Sequence, residues 1–141
     1  MKTRIVTMAA AAMMAIQFTM AQEPAKKFAS EDQRVAYATK NLLAALQSAN
    51  DGLVESALRV SAQMKMSHPG ANVEGLVSAM NELWKKNPSG SMRYKAYIAM
   101  SVCATPEWYA QDKNVASATD DTFFRAASAR MQEQLLSINT K

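Results

Sequence analysis

The chain has one cysteine, one histidine, four glycines and four prolines among 141 residues. Each scarcity removes a class of protein. A single cysteine, Cys103, cannot close an internal disulfide, so the fold rests on its core alone. A single histidine, His68, leaves most hydrolase and oxidoreductase mechanisms short of parts. Phosphate-cradling glycine loops, metalloprotease helices and Ser-x-x-Lys motifs are absent. No segment of useful length alternates apolar and polar residues with period two, so no strand is predicted.

What is present begins with a leader. Lys2 and Arg4 form a basic start, Ile5 to Phe18 is an apolar run broken only by Thr7 and Gln17, and Thr19-Met20-Ala21 offers small residues at a cleavage site. This is the layout of a secretory signal peptide, with cleavage expected after Ala21 and a periplasmic or secreted product. The apolar run is shorter than the roughly 20 residues of a membrane-spanning helix, so no integral membrane segment is expected after cleavage.

Cleavage changes the composition that matters. Removing 21 of 141 residues leaves 120, enough for one domain. The charge of +4 falls to +2, because Lys2 and Arg4 leave. Five of eleven methionines leave as well: Met1, Met8, Met13, Met14 and Met20. A nearly neutral mature chain has little electrostatic pull on nucleic acid, and no nucleic-acid partner is expected.

The sparse glycines and prolines punctuate a helical pattern. Residues 22–29 read as a flexible tail, and 30–141 as a single all-α domain of about five main helices. Ser30-Glu-Asp-Gln33 is a capping box opening a first helix, with Val35, Ala38, Leu42, Ala45, Leu46 and Ala49 on one face. Asn50-Asp51-Gly52 makes a turn, after which Val54, Ala57, Leu58, Ser61 and Met64 mark the inner face of a second helix. Pro69-Gly70 stops it. Asn72 is the expected cap of a third, with Val73, Leu76, Val77, Met80, Leu83 and Trp84 facing in. A fourth, from about Ser91 to Ala104, is apolar around much of its circumference and therefore expected to be central. Thr105-Pro106 opens a short turn with Trp108 and Tyr109, and Gln111 to Ala118 reads as a polar connection. Thr119-Asp-Asp121 starts the last helix, whose stripe is Phe124, Ala127, Met131, Leu135 and Ile138.

Asn41-Leu-Leu-Ala-Ala-Leu46 aligns with Gly75-Leu-Val-Ser-Ala-Met80 at an offset of 34, and each block leads through a marked turn into a second amphipathic helix. On these residues the stretch from Glu31 to Ala104 resembles HEAT-like repeats, and the whole chain resembles the small secreted all-helical proteins of bacteria. The resemblance implies antiparallel hairpins in right-handed α-α stacking; a plain helical bundle is the alternative.

Three groups of residues are candidates for chemistry. Arg93-Tyr-Lys-Ala-Tyr97 interleaves aromatic and basic residues, with Trp84, Lys85 and Lys86 just upstream. Trp84, Arg93, Tyr94, Lys95, Trp108 and Tyr109 are the candidate protein-binding face, since Trp, Tyr and Arg dominate binding hot spots. The competing expectation is ordinary core aromatics with solvated charges between them, and burial is favoured for Trp108 and Tyr109. Met64, Met66 and His68 are soft donors that suit copper: on a helix Met64 and His68 share a face, while Met66 points elsewhere. Cys103 lies in an apolar stretch and reads as a small buried hydrophobe rather than a nucleophile.

The sequence therefore predicts an exported, non-enzymatic helical module that binds another protein and carries no cofactor. The alternative is a periplasmic protein that binds a soft metal or a small ligand.

Overall fold

A computed structural model describes residues 27–140. The predicted leader, and the tail up to residue 26, lie outside the described residues. The helices are α1 (Glu31–Leu46), α2 (Asp51–Ser67), α3 (Glu74–Lys86), α4 (Gly90–Ala104), α5 (Lys113–Ala116) and α6 (Thr122–Asn139), with a 3-10 turn at Pro106–Trp108 between α4 and α5. Five of these are long, and no strand occurs among the described residues, so the chain is all-α. No helix among them is long and apolar enough to cross a membrane.

Local chemistry sets the boundaries. The Asn50 side chain accepts from the Leu53 backbone N–H at 3.1 Å and caps α2. Ser89 accepts from Met92 N–H at 3.2 Å and caps α4. Each bond satisfies one of the donors that a helix start leaves orphaned, worth about 1 kcal/mol. Asn72 does not take the capping position expected of it. Its Oδ1 accepts from Glu74 N–H at 3.1 Å, a tighter turn that leaves Val73 at the boundary without a side-chain cap. Asp120 makes the same turn onto Thr122 N–H at 3.0 Å, and α6 starts at Thr122 rather than at Thr119.

Short connections make successive long helices antiparallel neighbours. The α1–α2 hairpin stacks on the α3–α4 hairpin, α1 against α3 and α2 against α4. This arrangement is compatible with a helical repeat. α4 is central, as its all-round apolar character predicts: it meets α2, α3 and α6 and buries Met92, Ala96, Ile98, Ala99, Val102 and Cys103. The larger of these, Met92, Ile98 and Val102, each contribute about 1.5–3 kcal/mol by leaving water. α1 is peripheral and buries only Leu46 fully.

Three expectations are corrected here. Met66, not Met64, is the buried methionine near the end of α2; Met64 is half-buried at the edge of the core. Residues 111–118 are not merely a polar connection, because Val115 is fully buried and a single helical turn forms around it. Gln63 on α2 holds this segment: its Nε2 donates to the carbonyls of Val115 at 3.0 Å and Ala118 at 2.8 Å, while Arg59 donates to Gln63 Oε1 at 3.1 Å. Finally, the apolar stripe of α6 is covered only at its start. Phe123, Phe124 and Ala127 are buried and Met131 is half-buried, but Leu135, Leu136 and Ile138 are exposed.

Candidate functional site

Two antiparallel helices meet along a seam, and the side chains flanking it decide what the seam offers. Val77 and Trp84 are seven residues apart on α3, about 10 Å along one stripe. Tyr97 and Met100 are one turn apart on α4. At one end the Trp84 and Tyr97 rings lie with centroids 6.0 Å apart and planes at 44°. Both rings are 42% exposed. An aromatic pair of this geometry is attractive, yet half of its surface remains in water. Tyr94, one turn before Tyr97, is exposed on the same side of α4.

The sequence expectation that Trp84 faces inward is therefore corrected. It lies at the last turn of α3, where the neighbouring core is closed by Leu83 and Met80, and its ring settles across the seam on Tyr97. Tyr97 was not among the candidate binding residues. Its ring is seen to lie at a rim only once α3 is placed beside α4.

The other candidate residues separate. Arg93 stays beside the aromatic pair, and its Nη1 donates to the Asn87 carbonyl at 2.8 Å and Pro88 at 3.3 Å, stapling the α3–α4 turn. Lys95 turns the opposite way. Its Nζ lies 2.7 Å from Glu55 Oε2 on α2 and 5.4 Å from the centre of the Phe124 ring on α6. It ties three helices together and is not on the aromatic face. Trp108 is half-buried, with its carbonyl accepting from Arg130 Nε at 2.8 Å. Tyr109 is 1% exposed, and its hydroxyl has no hydrogen-bond partner among the described residues. Burial, with Tyr97 nearby, pushes its phenol above the ordinary range. A ring so enclosed has no surface for a partner, so the face reduces to Trp84, Tyr94, Tyr97 and Arg93.

The soft-donor group also separates. Met66 lies in the core. His68 ends α2, its backbone N–H bonded to the Met64 carbonyl at 2.8 Å, while its Nε2 lies 2.9 Å from Glu31 Oε1 on α1. Arg34 and His68 together hold the Glu31 carboxyl below its usual range. Among the described residues no three His, Cys, Asp or Glu side chains gather where they could hold a metal ion.

At the opposite end of the seam from Trp84 lies a cavity of about 610 Å³. Val77 and Met100 line it, Cys103 is on its wall, and Lys65, Glu74 and Asn81 stand around it. The Cys103 thiol is pushed up to about 11 by burial, with Lys65 opposing the shift, so at neutral pH it presents a neutral, apolar surface. His68 is not among the cavity residues. The sequence carried no signal for this cavity, since its lining comes from α2, the turn after it, α3 and the end of α4, which only the packing brings together. No protein-family model, no curated protein and no solved structure matches this chain.

Proposed function

We propose that this chain is an exported, non-enzymatic interaction module that presents the α3–α4 face to another protein. The reading includes cleavage of the leader after Ala21, delivery to the periplasm or beyond, and HEAT-like right-handed stacking of the two hairpins. The observation that carries it is the exposed Trp84–Tyr97 pair, flanked by Tyr94 and Arg93. Rigid aromatics offer large contact area at little entropic cost, and they are favoured where a partner completes their burial.

The test is a photo-crosslinking residue placed at position 84 or 94 in the exporting cell, with position 113 on α5 as control. A discrete adduct at 84 and 94 and none at 113 supports the reading. No adduct at either, or equal adducts at all three, overturns it.

A second reading, a periplasmic binder of a small ligand, is favoured by the cavity between Val77 and Met100. Copper binding by Met64 and His68 is the weaker form of it, because Met66 lies in the core and His68 already meets Glu31. A Cu(I) titration whose affinity is unchanged by Met64→Ala removes the copper form.

A further inference from the structure

We infer that the cavity at the head of the α3–α4 seam is a binding site for a small zwitterion with an apolar side chain, the chemistry of a free apolar α-amino acid. Its volume of about 610 Å³ lies within the range of small-ligand sites, roughly 300–1,000 Å³. Its apolar wall is Val77, Met100 and the neutral thiol of Cys103. Methionine is unbranched and polarizable, so this wall adapts to side chains of different shape.

The charges around the cavity select the ligand. Lys65 and Glu74 both line it, and they make no ion pair with each other. The Lys65 ammonium donates to the carbonyls of Pro69 and Ala71, the latter at 3.0 Å. Those two bonds fix the ammonium at the cavity and leave one of its three N–H groups to donate. The Glu74 carboxylate has no ion-pair or hydrogen-bond partner among the described residues. Glu74 lies in the first turn of α3.

Charges of opposite sign that line one cavity without neutralising each other complement a ligand that carries both. A plain carboxylate meets Lys65 but is repelled by Glu74, and a plain amine meets the reverse. A zwitterion places its carboxylate on Lys65 and its ammonium on Glu74, and its side chain enters between Val77, Met100 and Cys103. Asn81 supplies a further donor and acceptor at the edge. This inference deepens the small-ligand reading of the same cavity and does not rest on the protein-binding reading, whose Trp84 lies one turn beyond Asn81 on α3.

Calorimetric titration of the mature protein tests it. L-leucine and L-methionine are the probes. N-acetyl-leucine lacks the ammonium, leucinamide lacks the carboxylate and glycine lacks the side chain. Leucine or methionine is expected to bind, with each of the three analogues at least about tenfold weaker. Glu74→Gln, at an exposed and unbonded side chain, is expected to weaken leucine about tenfold and to strengthen N-acetyl-leucine, which no longer meets a repelling carboxylate. The inference is overturned by no heat from leucine or methionine at about 10 mM. It is also overturned by analogues that bind as well as leucine, or by Glu74→Gln leaving leucine binding intact.

Discussion

α4 and the second half of α6 are both rich in apolar residues, and the fold treats them in opposite ways. α4 lies among α2, α3 and α6 and buries six side chains. α6 is longer, 18 residues against 15, yet buries only three, all in its first two turns. At 1.5 Å per residue it outlasts the helix it packs on. Phe123 and Phe124, edge to face at 5.1 Å, are buried at the start of α6, with the Lys95 Nζ of α4 5.4 Å from the Phe124 ring. Beyond Met131 no helix among the described residues covers the stripe, and Leu136 is 67% exposed. Apolar periodicity thus states which face of a helix seeks a neighbour, and the neighbour's length decides whether it finds one.

This contrast can be broken at its strongest point by Phe123→Ala. Removing a fully buried ring at the covered end of α6 is expected to cost about 3–5 kcal/mol in chemical denaturation. A cost under about 1 kcal/mol means that α6 is not integral to the core.

The burial of α4 on several sides has its own signature at high pH. The Cys103 thiol titrates near 11 when folded, above its ordinary value of 9.0, because burial disfavours the thiolate. The raised value means that its stabilising contribution is complete below pH 9 and is lost as pH rises through 11. Wild type is expected to lose about 2–3 kcal/mol relative to Cys103→Ala between those limits. Parallel stability curves for the two proteins contradict the enclosure of this face.

Gln63→Ala attacks the tie between α2 and the segment that leads into α6. It leaves the carbonyls of Val115 and Ala118 without their amide donor, at an expected cost of about 1–3 kcal/mol. Hydrogen exchange is expected to rise in residues 113–118 and not in α1. A uniform rise across both segments implies that Gln63 supports the whole stack instead.

The smallest effect is expected from Leu136→Ser at the uncovered end of α6. The change should stay within about 0.5 kcal/mol in either direction, as for other exposed positions. A loss above 1 kcal/mol shows that another surface covers this stripe in solution.

Helix positions were legible in the chain because they follow from local chemistry. Asn50 capping α2, Pro106 opening the 3-10 turn and the all-round apolar surface of α4 act within a few residues of themselves. The site was less legible. Lys95 and Arg93 are two residues apart in one motif, yet a 200° step around α4 sends one to Glu55 and the other to the Asn87 carbonyl. Val115 looked like one apolar residue in a polar connection, and it is fully buried because Gln63, far away in the chain, holds its segment down.

By itself the sequence determined the all-α class, the five long helices, the turns between them and the central place of α4, since propensity, capping and periodicity are properties of neighbours along the chain. Only the tertiary structure decided which apolar and aromatic residues remain in water. Trp84 and Tyr97 form a rim, Tyr109 is enclosed, Leu136 is left open, and Lys65 and Glu74 are set around one cavity. Each of those outcomes depends on where a second helix ends, and that length is written elsewhere in the chain.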